Sequence, residues 1–201
     1  MAYATVAELT EYLGLTNNLS GGTLVTSERT ARLTQALDAA TAHIEQDTGR
    51  VFTSTTATKR LTCDGGDVLL VPDLVSVTTL KVDDNADGVY EITLTTNDYE
   101  LNTYHETQSG WPFEYIVRLD DYWPVRTFAG RRRLVEIAGV WGWSAVPSPI
   151  KQACLLLAAR LVQRSNAALG VQAVGDLGGF GIRSSDPDYD RLVAPYRIIP
   201  L

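Results

Sequence analysis

The residues best spaced for chemistry lie in "DDNADGVYEITL". Asp83, Asn85, Asp87 and Gly88 follow the D-x-N-x-D-G pattern of the first half of a calcium loop, in which alternate side-chain oxygens converge on one hard cation. The twelfth position from Asp83, where such a loop needs a bidentate Glu, is Leu94. The flanks read as strands rather than helices, and Asp-Gly between strands is ordinary hairpin-turn chemistry. The hairpin turn therefore outweighs the calcium loop, with Asp83, Asn85 and Asp87 held as the calcium candidates beside it.

Other chemistry finds less support. His43 and His105 are the only histidines, and neither has a second His or a Cys at zinc-ligand spacing. No G-x-S-x-G elbow places a nucleophile. "GDLGGFG" follows no strand and lacks the Gly-Lys-Ser/Thr of a phosphate loop. In "GRRRLVEI", Arg131, Arg132 and Arg133 alternate across a strand, so they make no single three-pronged patch. The sequence thus shows no grouping of catalytic residues and implies no cofactor, and an enzyme with a scattered active site is left as a weaker alternative.

The totals bound what such a protein can be. Its 201 residues suit one domain with a real core. Hydrophobic residues make up 45% and charged residues 20%, an ordinary globular balance. The net charge is −7, whereas a protein that grips duplex phosphates carries a basic face. The charge favours a protein partner or a small ligand. The first residues, with Glu8 and Glu11 and no basic run, are unlike a signal peptide. The most apolar stretch, Ala153 to Val162, contains Arg160 and is too short to span a bilayer. Cys63 and Cys154 lie on unrelated segments and read as half-buried free thiols.

The pattern of elements is helices, then strands, then helices. Thr5 and Glu8 have capping-box spacing ahead of a short first helix ending near Gly14. Ser27 is expected to cap a second helix that stops at Gly49, with Leu33, Leu37, Ala40 and Ile44 on one stripe. From Val51 the chain turns to Thr, Val, Leu and Tyr in short runs, with "DVLLV" and "SVTTLKVD" as separate strands around Pro72. In "RLVEIAGVWGW", Val135, Ile137, Trp141 and Trp143 are expected on one face. Ser148 caps a third helix with Pro149 at its first position. Ile150, Ala153, Cys154, Leu157, Ala158 and Leu161 make its stripe. A glycine-rich loop without regular structure follows, then a short helix from Asp186-Pro187 and an apolar end. The fold class is α+β: a small helical bundle from N- and C-terminal helices, with a large antiparallel β insertion between the second and third. The divisions are 1–50, the β insertion 51–146, a core helix 147–169, and a loop, short helix and arm over 170–201, within a single unit 1–201.

Three stretches carry a family likeness. "ATVAELTEYLG", "ALDAATAHIEQDTGRVF" and "VEIAGVWGWSAVPSPIKQACLLLAARLVQRS", with the terminal "DPDYDRLVAPYR", resemble the head-to-tail connector (adaptor) proteins of tailed bacteriophages. The resemblance covers nearly the whole chain and rests on structural junctions. It implies a virion protein without enzymatic activity, located at the neck and in the host cytoplasm during assembly. It implies a homo-oligomer, a dodecameric ring under the portal, that extends the DNA channel and meets tail or stopper proteins. DNA would pass without sequence-specific binding and no membrane is involved. Trp141, Trp143, Pro147 and Pro149 then form a structural joint between sheet and helix. Phe180, Ile182, Tyr196, Ile198 and Ile199 are the apolar anchors of a portal-contact arm. The alternative is a carbohydrate- or host-binding β module of a phage particle, using Trp111, Tyr115 and Trp123.

Overall fold

A computed structural model describes residues 2–14, 23–125, 133–166, 171–173, 179–181 and 186–198. The chain divides into two compact units. One holds Met1–Arg50 and Val146–Leu201, the other Val51–Ala145. The class is α+β, with an antiparallel sheet inserted between the second and third helices.

The first unit is helical. Helix α1 (Val6–Tyr12) starts at the expected capping box, since Thr5 Oγ1 accepts from the Glu8 N–H and the Glu8 carboxylate accepts from the Thr5 N–H. Helix α2 spans Thr23–Thr48. It begins four residues before the predicted Ser27 cap and runs about 39 Å at 1.5 Å per residue. The predicted stripe is right: Leu33, Leu37, Ala40 and Ile44 are all buried. The helix ends where Gly49 takes a φ of +70°.

Helix α3 (Ser148–Asn166) packs against α2, α1 and the later helix. Its first hydrogen bond runs from the Lys151 N–H to the Pro147 carbonyl at 3.0 Å. The cap position therefore belongs to Pro147, one residue before the predicted Ser148, and Pro149 stands second. Proline is harmless there because the first turn's N–H groups have no intrahelical partner. Ile150, Ala153, Cys154 and Ala158 are buried as expected, while Leu157 and Leu161 are half-buried. Small side chains let the helices approach closely: Thr41 Oγ1 on α2 lies 3.7 Å from Cys154 Sγ.

The glycine-rich stretch differs from the expected structureless loop. Val171–Ala173 (β7) pairs antiparallel with Gly179–Gly181 (β8). Helix α4 (Pro187–Val193) follows, capped by Asp186, and buries Tyr189 and Val193. A 3-10 turn over Ala194–Tyr196 is the last regular element among the described residues. Among the described residues no helix is long and apolar enough to cross a membrane.

The second unit is built around strand β2 (Val68–Val82), flanked in chain order by β1 (Thr55–Thr62), β3 (Ile92–Leu94), β4 (Tyr99–Asn102), β5 (Phe113–Arg118) and β6 (Arg133–Trp141). The strand order is β1-β6-β2-β5-β4, with β3 also on β2. All pairings are antiparallel. The two strands expected around Pro72 are one strand. Pro72 cannot donate to a ladder, and the register shifts between Leu70 and Leu74 absorb it without breaking the strand. Leu69, Leu74, Leu80, Ile116, Val135 and Ile137 centre the core. Cys63 and Cys154 are both free, as expected, and buried where half-burial was expected. Burial pushes the Cys63 thiol up to about 11.

Two glycines set how β6 sits. A Cβ at Gly139 would collide with the Ser76 carbonyl of β2. A Cβ at Gly142 would collide with the Thr53 carbonyl, and Gly142 has a φ of +93°. Left-handed backbone disfavours any side chain by about 1–2 kcal/mol before the collision is counted. Gly142→Ala is expected to destabilise the protein by more than about 2 kcal/mol. Chemical denaturation read by tryptophan fluorescence checks this, with Gly110→Ala as the comparison, since Gly110 has similar φ but open space around it.

Candidate functional site

Three places in the structure could serve function. The first is the turn joining β2 to β3. Asp83 directly follows β2 and is 0% exposed. Its Oδ2 accepts from the Gly88 N–H at 2.8 Å. Asn85 Oδ1 accepts from the Asp87 N–H at 2.9 Å, and Asp87 Oδ1 from the Val89 N–H at 2.7 Å. Ala86 takes a φ of 62°, so three side chains and a left-handed residue coil the backbone tightly. Asn85 Nδ2 also donates to Glu91 Oε1 at 3.0 Å. One carboxylate oxygen each from Asp83, Asp87 and Glu91 lie within 4.8 Å of one another. Sequence reasoning tested position twelve and missed Glu91, which stands at position nine from Asp83.

The second is the aromatic corner. Trp141 is buried at the end of β6, its Nε1 donating to the Ala57 carbonyl at 2.8 Å and Lys59 Nζ lying 4.4 Å from its ring centre. Trp143 is also buried but is not on that strand; it follows the turn at Gly142. Its Nε1 donates to Asp73 Oδ2 at 2.9 Å, and its ring meets Phe52 at 5.2 Å and Trp111 at 4.9 Å. Trp111 stacks on His105 at 3.6 Å. Pro147 and Pro149 lie half-buried in the helical unit, just past the point where the chain leaves the sheet unit.

This corner weakens the carbohydrate reading. Trp123 is 1% exposed, its Nε1 donating to the Asp67 carbonyl, and so belongs to the sheet core. Trp111 is half-buried between rings, and Tyr115 packs on Tyr104 at 4.8 Å. Trp111 and Trp123 are committed to packing, so the three do not form an open stacking platform. His43 meets the Tyr189 ring at 5.7 Å. Arg133 is exposed at the start of β6, and its carbonyl accepts from the Tyr90 hydroxyl. Arg131 and Arg132 lie outside the described residues.

The third is the C-terminal segment. The Ile198 N–H donates to the Thr48 carbonyl at 3.0 Å, and Arg50 Nε donates to the Tyr196 carbonyl at 3.0 Å. The segment thereby satisfies the end of α2. Arg197 forks onto Asp47, with Nε to Oδ1 at 3.1 Å and Nη2 to Oδ2 at 2.8 Å, and also reaches Asp190 at 3.0 Å. Tyr196 is half-buried, while the Ile198 side chain is 51% exposed. Phe180 is in β8; Ile182 and Ile199 lie outside the described residues. No sequence signal marks the Asp47–Arg197 pair, whose members are 150 residues apart.

One sheet face is unusually apolar for an exposed surface. Val68 and Leu70 on β2 stand opposite Val117 and Tyr115 on β5, so all four point to the same side. Leu70 is 57% and Tyr104 63% exposed.

Known structures share this fold. A chain from the neck of an empty gene transfer agent particle, computed with C6 symmetry, aligns with a TM-score of 0.60 and 25% identity over 99% of this chain and 91% of its own. A chain from the virion of a native gene transfer agent particle aligns with a TM-score of 0.55 and 24% identity over the same shares. No protein-family profile and no curated protein matches the sequence. The neck likeness supports the resemblance to head-to-tail connectors.

The Asp47 cluster predicts an acid response. The Arg197 hydrogen bonds hold the Asp47 carboxyl below its ordinary range, against the opposing effect of burial, and Tyr189 adds a third bond. A carboxyl lowered by folding stabilises the native state above its unfolded pKa of about 3.9 and loses that contribution as pH falls through its folded value. Asp47→Asn is expected to cost about 1 kcal/mol at neutral pH, the order for a partly exposed forked pair. Denaturant melts from pH 7 to pH 2 should show the gap to wild type closing only below about pH 4.

Proposed function

We propose that this chain is a structural subunit of a particle neck, a head-to-tail connector that assembles as a ring beneath the portal. The observation that carries this reading is the end-to-end likeness, over 99% of the chain, to a chain of a gene transfer agent neck. That neck was computed with C6 symmetry, and a twelve-membered ring contains a six-fold axis, so the dodecamer implied by the connector resemblance is compatible with it. The ring extends the DNA channel and offers a surface to tail or stopper proteins. Its function needs no catalytic step, and its place is the virion neck, reached after assembly in the host cytoplasm.

The physical features support such a role. A ring subunit needs two complementary side faces that close on themselves. The apolar face of Val68, Leu70, Tyr104, Tyr115 and Val117 supplies one, since exposed contiguous apolar surface marks an interaction site. A net charge of −7 suits a channel wall that repels phosphates and lets DNA slide. Phe180, Ile182, Tyr196, Ile198 and Ile199 are assigned to portal contact, with Ile198 the anchor whose backbone is already fixed and whose side chain is exposed.

Light scattering of the purified chain, alone and mixed with portal, tests the reading. A closed ring, or entry into a portal complex at fixed stoichiometry, is expected. A monomer that ignores portal overturns it. Leu70→Glu is expected to block ring closure, and Ile198→Asp to weaken portal binding at least about tenfold, roughly the cost of charging one buried anchor. Neither should lower the melting temperature, because both side chains are exposed in the subunit.

A further inference from the structure

The turn between β2 and β3 holds a buried acid that protein atoms alone leave incomplete. Asp83 Oδ1 is inaccessible to solvent and, among the described residues, is the buried side-chain oxygen or nitrogen without a hydrogen-bond partner. Buried carboxylates are paired, hydrogen-bonded or bound to metal, because stripping a charge of water without compensation is costly. The other Asp83 oxygen is engaged by the Gly88 N–H. Two exposed acids, Asp87 and Glu91, bring oxygens within 4.8 Å of an Asp83 oxygen and of each other. Oxygens that surround one calcium ion at 2.3–2.6 Å lie no more than about 5 Å apart. The cluster and the unpartnered atom are separate observations, and one bound cation would answer both.

We propose that the β2–β3 turn is a calcium site in which Asp83, Asp87 and Glu91 supply carboxylate oxygens and Asn85 orients Glu91. Asn85 Nδ2 donates to Glu91 Oε1, and its own Oδ1, already accepting from Asp87, retains a lone pair for the ion. Glu91, at position nine, adds one carboxylate oxygen but does not replace the bidentate Glu missing at position twelve. The ligands are hard oxygens on an irregular exposed turn, which suits calcium over magnesium, since magnesium demands near-ideal octahedral geometry and sheds water reluctantly. Three carboxylates and no distal bidentate clamp place the affinity with the weaker class of calcium modules, at a Kd of about 10⁻⁴–10⁻³ M. The proposal stands apart from the neck reading, because it rests only on this turn.

Calorimetric titration of the EDTA-stripped full chain with calcium chloride, with melting curves in parallel, tests it. One site per chain is expected, with the melting temperature rising by about 3–8 °C at about 10 mM calcium. Asp87→Asn and Glu91→Gln should each weaken binding at least about tenfold while leaving the calcium-free melting temperature unchanged, since both side chains are exposed. Absence of heat and of any melting shift at about 10 mM calcium overturns the proposal. Equal calcium responses in wild type and both variants overturn it too, as does an equal response to magnesium.

Discussion

The sheet unit depends on how closely β6 can approach β2. At Gly139 the two backbones come nearer than any side chain would permit, opposite the Ser76 carbonyl. The register shifts on β2 between Leu74 and Ser76 and between Val77 and Thr79 lie at this contact. With β6 seated there, β1 completes its other edge over Thr55 to Thr62. The Gly142 N–H then donates to the Asp73 carbonyl at 2.8 Å, and its left-handed backbone turns Trp143 off the strand into the ring cluster. Replace either glycine and the pairing, the turn and the aromatic corner must all shift together.

What was legible in the sequence was local or periodic. Thr5 and Glu8 state their capping box within four residues, and the α2 stripe repeats at helical spacing. Pro72 misled because its usual meaning is a break, whereas β2 absorbs it at a register shift. Trp143 was assigned to the strand by alternation, which fails once a glycine reverses the backbone direction. The glycine-rich stretch gave no signal for the β7–β8 pairing, because glycine has no side-chain pattern to read. Glu91 is hidden because the calcium-loop pattern puts its bidentate Glu at position twelve and not at nine. Asp47 and Arg197 meet only because the chain end returns to α2, and no local pattern encodes a contact across 150 residues.

An assembly subunit puts its chemistry into surfaces, and surfaces are specified by shape and apolar area rather than by a spacing of reactive groups. Tryptophans that would be stacking platforms in a lectin are here spent on internal packing, each with its indole N–H satisfied where it is buried. What stays outside is aliphatic and tyrosine-rich, as on β2 and β5, which is the composition protein partners use.

The insertion begins and ends on neighbouring strands. Because Thr55 stands opposite Trp141, the first and last strands of a 95-residue excursion (Val51 to Ala145) are paired neighbours, about one strand spacing apart. To the helices, a folded sheet unit is therefore equivalent to a short link. Closing an unstructured loop of that length costs about 4 kcal/mol in chain entropy, and a sheet that folds first removes this cost before α2 and α3 meet. The same arrangement makes the excursion exchangeable. A unit whose first and last strands are paired neighbours can in principle be varied in length and surface with its ends held together.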